Sequence, residues 1–160
     1  TLPISSAAIG ISMGITGLAA GAATIGCCCN MVGFAVISYR ENKMGGLIAQ
    51  GLGTSMLQMP NIIRKPIIWL PSILASAILG PISSAVLKMS STPIGSGMGS
   101  AGLVGQIATF QTMAPQIGWG LALVEILVMQ FLLPAAVCLG ISELMRKLKW
   151  IKPGDLALDL

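Results

Sequence analysis

The sequence predicts an all-α integral membrane protein with about three transmembrane helices, an interfacial amphipathic helix and a re-entrant glycine-rich hairpin. Of the 160 residues, 54% are hydrophobic and 9% are charged, whereas an average soluble domain is about 25% charged. Long uncharged stretches alternate with small groups of cations, which is typical of a chain that crosses a bilayer several times. Aromatic residues make up only 4%, so a transmembrane β-barrel with aromatic girdles is not expected.

The first predicted span covers residues 4–38, which carry no charge. A straight helix of that length would extend about 52 Å, against a hydrocarbon core of about 30 Å. The helix is therefore expected to tilt, to project beyond the bilayer or to break. Paired four-residue spacings predict a close-packing face for a helix of this chain or of a partner. The glycines with this spacing are Gly10, Gly14, Gly17 and Gly21.

Asn30 is a polar side chain within this first span, close to Thr24 and Gly26, where a break in the helix is expected. Its amide offers several hydrogen-bonding positions, which need partners inside a membrane. A tie to a neighbouring helix is one interpretation of Asn30, and contact with a ligand is the other.

Residues 43–59 are predicted to form the interfacial amphipathic helix. Their apolar side chains recur at helical spacing, while Gln50, Thr54 and Gln58 lie largely on the other side. The apolar stripe consists of Met44, Leu47, Ile48, Leu52, Met56 and Met59. Pro60 and Asn61 are expected to end this helix.

Residues 66–87 and 120–142 are the second and third predicted spans, with residues 143–160 as a tail that contains a Pro153–Gly154 turn. Pro71 and Pro81 are expected to kink the second span, and Pro134 the third, because proline removes a backbone donor.

The charges predict the orientation of the spans. The nine cations fall into two groups around the ends of the spans, and Lys88 alone stands apart. Clusters of this kind mark the cytoplasmic side of a membrane protein, so the C-terminus is expected to be cytoplasmic. The same distribution argues against nucleic-acid binding. We expect one membrane domain over residues 1–160, forming part of a longer chain, because three spans make a small transporter.

Residues 89–118 are uncharged but contain too many glycines and amides for a lipid-facing helix. Polar, irregular backbone at membrane depth is tolerated where protein covers it or where it lines a wet cavity, so this segment is predicted to be re-entrant. The sequence from Gly97 to Gly102 formally matches a dinucleotide-binding motif. It lacks both the preceding strand and the later acidic residue that such a site needs.

Neutral hydrogen-bonding side chains in and near this segment are suited to the hydroxyl groups of a sugar. The candidate substrate-binding residues are Gln106, Thr109, Gln111, Ser96, Asn30 and Glu125. Glu125 is the acidic residue within a predicted span, and an intramembrane carboxylate is by default a functional hypothesis. Pairing with a cation or a merely packed glycine-rich loop are the structural alternatives.

No catalytic residue, metal ligand set or cofactor site is predicted. The sequence has no histidine, which removes the commonest general base and a common zinc ligand. Cys27, Cys28, Cys29 and Cys138 lie in apolar surroundings and are interpreted as small buried residues.

The order of these elements resembles the membrane (IIC) subunit of bacterial phosphotransferase-system sugar permeases, in particular the branch that contains the perfringolysin O regulator and other toxin regulators. The resemblance extends over most of residues 2–148 and corresponds to the C-terminal half of such a protein. The motifs that carry it are Gln58-Met59-Pro60-Asn61, the run from Ser91 to Gly99, and the run from Gln106 to Gln111.

This resemblance implies a homodimeric permease in a bacterial cell membrane, with a sugar held near the midplane and its inward movement coupled to phosphorylation by IIB and IIA domains. Better-known IIC families place a glutamate and a histidine near the sugar. Glu125 is the candidate for the glutamate, and the histidine has no counterpart here. A membrane sensor or regulator that does not transport therefore remains an alternative, as does a structural assembly protein.

Overall fold

A computed structural model describes residues 6–158 of the protein, and this part of the chain is helical, without a named strand. Three of its helical segments are long and apolar enough to cross a membrane: Gly17–Ile37, Pro66–Ala85 and Trp119–Lys147. The predicted fold class, an all-α membrane protein with three spans, is thereby confirmed.

The first apolar stretch is divided into two helices, α1 (Ser6–Ser12) and α2 (Gly17–Ile37). The break occurs around Gly14 and Gly17, whose φ angles of 61° and 60° lie in the left-handed region. The break expected near Asn30 is therefore wrong, since α2 continues through that position. Thr24 stabilises this part of α2 because its hydroxyl donates to the carbonyl of Ala20, 2.8 Å away.

The four spaced glycines do not share one helical face, because two of them lie at the break. The other two do pack closely, but against the segment that follows the second span. A Cβ atom on Gly10 would meet the Pro93 carbonyl and the Ser96 hydroxyl, and one on Gly21 would overlap the Met89 carbonyl. The close-packing face predicted from the glycines is thus used, in part, within this chain.

Residues 39–64, called the arm below, replace the single amphipathic helix predicted over residues 43–59. The arm consists of α3 (Tyr39–Ile48), a π turn (Ala49–Gly53), a 3₁₀ turn (Ser55–Gln58) and α4 (Met59–Arg64). Its break lies at Thr54, which is extended and whose hydroxyl accepts a hydrogen bond from the Met56 N–H at 3.1 Å. Pro60 lies in the first turn of α4, where its missing N–H is tolerated, and does not end a helix.

The arm turns its amides toward the protein and its apolar side chains outward. Gln50 and Gln58 are fully buried, and the Gln50 amide donates to the Ser38 hydroxyl at 2.8 Å. The exposed apolar side chains are those of Met44, Ile48, Leu52, Met56 and Met59. Exposed apolar and buried polar side chains are the arrangement that suits contact with lipid, and a position in the interface remains a prediction.

The second span is a 3₁₀ turn (Pro66–Trp69) followed by α5 (Leu70–Ala85). The third is α8 (Trp119–Leu127), a π turn (Val128–Leu132) and α9 (Leu133–Lys147), and it continues beyond the predicted end at residue 142. Pro134 has no N–H for the carbonyl of Gln130, four residues earlier, and the wider π turn lies at this position.

Between these spans, α6 (Pro93–Met98), a 3₁₀ turn (Ala101–Leu103) and α7 (Val104–Ile117) form a helical hairpin. This hairpin packs against α1 and α2 through α6, while α7 packs against α8. The sequence predicted irregular backbone over residues 89–118, and the irregular part is limited to short connections. Its re-entry into the membrane remains a prediction.

The charged side chains gather at one end of the helices. Arg40 pairs with Glu143 at 3.0 Å, Arg146 pairs with Glu41 at 3.2 Å, and Lys65 pairs with Asp155. These contacts join the two basic groups that are separate in the sequence. Lys88 follows α5 at the opposite end.

Candidate substrate site

A cleft of about 420 Å³ opens where α2, the break in the arm and the start of the hairpin meet. Ligand pockets usually enclose about 300–1,000 Å³, so the cleft has the size of a small-molecule site. It is lined by Ser6, Cys27, Asn30, Met31, Gly53, Thr54, Ser55, Met56, Gly97, Met98 and Ala101.

The polar groups of the cleft are neutral, and no charged residue is among those that line it. The Asn30 Oδ1 atom accepts a hydrogen bond from the indole Nε1 of Trp69 at 3.2 Å, so Asn30 does tie two helices together. Thr54 and Ser55 reach the opposite wall from the arm. Amide and hydroxyl groups of this kind both donate and accept hydrogen bonds.

Glycines bring the hairpin close to the first two helices. A Cβ atom on Gly97 would collide with the backbone of Ser6 and Ala7, and one on Gly99 would lie 2.6 Å from the Cβ of Cys27. Gly99 has a φ angle of 55°, which a residue with a side chain rarely adopts. The wall of the cleft therefore depends on glycine at both positions.

Cys27 is the partly exposed thiol of the cleft, and its Sγ lies 3.4 Å from the carbonyl oxygen of Ser96. Cys28, Cys29 and Cys138 are fully buried, and all four thiols are free. The interpretation of the cysteines as buried apolar residues is confirmed for these three, and Cys27 differs because it faces the cleft.

A second polar cluster lies inside the protein, between the hairpin and the third span. The Gln130 amide donates to the Thr109 hydroxyl at 3.0 Å, and that hydroxyl donates to the Gly105 carbonyl at 2.8 Å. The Ser91 hydroxyl lies 3.3 Å from the Thr109 hydroxyl. One turn before Thr109, the amide of Gln106 lies 3.5 Å from the Sγ of Cys28.

Three buried acceptor oxygens on the hairpin and third span have no hydrogen-bond donor within residues 6–158. They are Oε1 of Gln106, Oε1 of Gln130 and Oε2 of Glu125. A buried acceptor without a donor costs free energy, roughly 1–3 kcal/mol, and such groups often belong to functional sites.

The structure does not gather the six predicted binding residues into one site. Gln106 and Thr109 lie together in the buried polar cluster, and Asn30 lines the cleft. Ser96 is buried beside it, with its hydroxyl donating to Pro93. Glu125 is half-buried on α8, outside the cleft lining, and Gln111 is exposed.

Sequence reasoning missed Gln130, Thr54 and Ser55 as candidate residues. Gln130 had a signal, because it is an amide in an apolar span four residues before a proline. The sequence Gly53-Thr54-Ser55 also had one, because glycine followed by a hydroxyl residue marks a helix end and a new cap. The continuing apolar spacing on both sides concealed that break.

A protein-family model described as "Phosphotransferase system, EIIC" matches residues 1–158. No curated protein and no solved structure matches the chain.

Proposed function

The chain belongs to the EIIC family of the phosphotransferase system, a family of membrane subunits of sugar transporters, and we propose that it binds a neutral carbohydrate in the cleft described above. The observation that carries this proposal is the chemistry of the lining. Amide and hydroxyl groups from α2 and the arm face a space of about 420 Å³, without a charged residue in its lining.

Such a lining favours a polyol over an ion. Each sugar hydroxyl can donate one hydrogen bond and accept others, which matches the mixed capacity of Asn30, Thr54 and Ser55. A charged ligand would be held more favourably by ionised partners. The neutral lining therefore supports an uncharged carbohydrate as the bound species.

Glu125 is proposed as a second contact that the carbohydrate reaches after it leaves the cleft. Its buried Oε2 atom has no donor within the described residues, and a sugar hydroxyl would supply one. Gln106 and Gln130 offer further acceptor oxygens in the same part of the molecule. Thr109 is already engaged with its neighbours and is proposed to hold the hairpin in place.

The phosphorylating partners are proposed to act at the charged end of the helices. The cations that meet there match the side that faces the cytoplasm in membrane proteins, and IIB and IIA domains are cytoplasmic. The C-terminus would then be cytoplasmic, in the membrane of a bacterial cell, and a second copy of the chain would complete a dimer. A regulator that binds the carbohydrate without moving it is the alternative function.

Protection of Cys27 tests the carbohydrate site directly. A maleimide applied to the full-length protein in membrane vesicles is expected to modify Cys27, because the other three thiols of this sequence are buried. At least one sugar from a panel of neutral mono- and disaccharides should slow that reaction in a saturable way. Labelling measured by mass spectrometry on the peptide that contains Cys27 provides the rate.

Ser55→Ala should weaken this protection, since the Ser55 hydroxyl lines the cleft and has no hydrogen bond within residues 6–158. We expect the half-protecting sugar concentration to rise by about three- to tenfold, the effect of one neutral hydrogen bond. Ser76→Ala, which removes a hydroxyl outside the cleft, is the matched control. Failure of every neutral sugar to protect Cys27 would reject the cleft as the carbohydrate site.

A further inference from the structure

The last described residues of the chain, 151–158 and called the tail here, do not hang free of the helices. Ile151 is 2% exposed and Leu156 is fully buried. Gly154 has a φ angle of 95°, which turns the chain back toward the arm. Thus a segment without regular secondary structure has a fixed place against the protein.

Side-chain amides of the arm hold the main chain of this tail. Asn42 and Gln58 both donate to the carbonyl of Leu156, at 2.7 and 3.0 Å. Asn61 donates to the carbonyl of Ala157 at 2.7 Å, and Asn42 accepts from the N–H of Leu158 at 2.8 Å. Asn42, Gln58 and Asn61 are called the amide clamp.

The clamp is internally connected, because Asn61 also donates to the Oε1 of Gln58 at 2.9 Å. Both polar atoms of the Gln58 and Asn42 amides are therefore used. Beside the clamp, Lys65 pairs with Asp155, and the Gly154 N–H donates to Glu41 at 3.3 Å. The clamp thus engages backbone groups of the tail, and the ion pair fixes its position.

The clamp and the cleft share one short piece of the arm. In the 3₁₀ turn Ser55–Gln58, Ser55 lines the cleft and Gln58 belongs to the clamp. Met56 lines the cleft and also a second pocket of about 320 Å³ beside Ala157 and Leu158. A displacement of this turn would therefore change both places together.

We infer that the tail is a latch: docked in the amide clamp, it holds the arm in the position that narrows the cleft, and its release lets the arm move and opens the cleft. The tail is the continuation of the third span, so the latch couples that span to the arm. This inference rests on the proposed function only for what the cleft binds.

Asn61→Asp tests the latch, because the change keeps the shape but replaces the donor that faces Ala157 with an acceptor. The amide hydrogens of the tail should then exchange with solvent at least about tenfold faster in hydrogen-exchange mass spectrometry. The maleimide reaction of Cys27 should also become severalfold faster, without any sugar present. Gln116→Glu, the same exchange of amide for carboxylate at an exposed site on α7, should change neither rate.

A chain truncated after Lys152 is the second variant, since it removes the docking segment and leaves the clamp intact. It should raise the reaction rate of Cys27 as Asn61→Asp does. Fast exchange of the tail in the wild-type protein would overturn the docking, and an unchanged Cys27 rate in either variant with a released tail would overturn the coupling. If instead no sugar protects Cys27 while these rates change as expected, the latch stands and the proposed carbohydrate site fails.

Discussion

Glu125 brings a carboxylate into an apolar helix with one oxygen buried and without a donor in the described part of the chain. A buried acceptor in this state is costly unless a donor arrives or the group takes up a proton. A side chain that serves packing alone would not need a carboxylate at this position. We therefore place Glu125 on the path of the substrate.

Glu125→Gln should separate binding from transport. The variant keeps the volume of the side chain but replaces one acceptor oxygen with an NH₂ group. We expect carbohydrate protection of Cys27 to persist and uptake into cells to fall by roughly tenfold or more, because a hydrogen bond to a charged group contributes about 1.5–3 kcal/mol.

Glu143→Gln is the control for this change. Glu143 pairs with Arg40 at the protein surface, where ion pairs contribute little, so its uptake should match the wild type. Equal uptake by both variants would remove Glu125 from the path, and loss of Cys27 protection in Glu125→Gln would place it in the first binding site.

At the scale of the elements, uncharged length and periodicity were enough to predict the three spans. The breaks were not predictable in the same way, since they depend on local backbone chemistry. Thr54 shows this, because its cap to Met56 interrupts an apolar stripe that continues on both sides. The glycines of α1 and α2 show it too, because spacing alone does not distinguish a packing glycine from one with positive φ.

The candidate site was predictable only in its chemistry. The sequence indicated neutral hydrogen-bonding groups, and the structure has them at the cleft and in the buried polar cluster. Asn30 was identified but Ser55 was not, because the cleft is assembled from segments about 25–70 residues apart in the sequence. Sequence spacing within one element carries no information about such a meeting.

Gly21→Ala should disrupt the seam between α2 and the loop after the second span. A Cβ atom there would overlap the backbone carbonyl of Met89, which cannot rotate away as a side chain can. We expect the free energy of unfolding to fall by about 1–3 kcal/mol, measured by thermal unfolding in detergent.

Gly140→Ala is the matched substitution in α9, where an added Cβ atom would meet nothing within 4 Å. Since alanine favours the helix over glycine by about 1 kcal/mol, this variant should be as stable as the wild type or more stable. A similar loss of stability in both variants would show that the Gly21 contact is not tight.

At the scale of the whole molecule, three ion pairs at one end join the arm, the third span and the tail. The pair between Arg146 and Glu41 is the most buried, with side chains 12% and 11% exposed. Arg146 also donates to the Ile37 carbonyl at the end of α2. The charged end is thus where all the moving parts proposed above are tied together.

Docking of the tail should depend on acid through Asp155. Burial alone would raise the pKa of this carboxyl, but hydrogen bonds from Lys65 and the backbone N–H of Lys152, together with both lysine charges, lower it overall. Because the pKa is lower in the folded state, the stabilisation is complete above the ordinary value of about 3.9 and is lost as the pH falls through the folded value.

Pepsin cleavage within the tail measures this effect. At pH 4.5 the Asp155→Asn variant should be cut severalfold faster than the wild type, and the ratio of the two rates should approach one as the pH falls further. The ratio cancels the pH dependence of the protease and of the other charged groups nearby, which are Lys65, Lys152, Arg64 and Glu41. A ratio of one at every pH would mean that Asp155 does not hold the tail.

Lys88 stands alone at the far end of the second span, exposed and with a φ angle of 49°. All other cations lie at or beside the charged end, so a protease that cuts after lysine meets a single site of cleavage on one face of the membrane and several on the other. The protein therefore carries its own marker of sidedness, readable in sealed vesicles without any added tag.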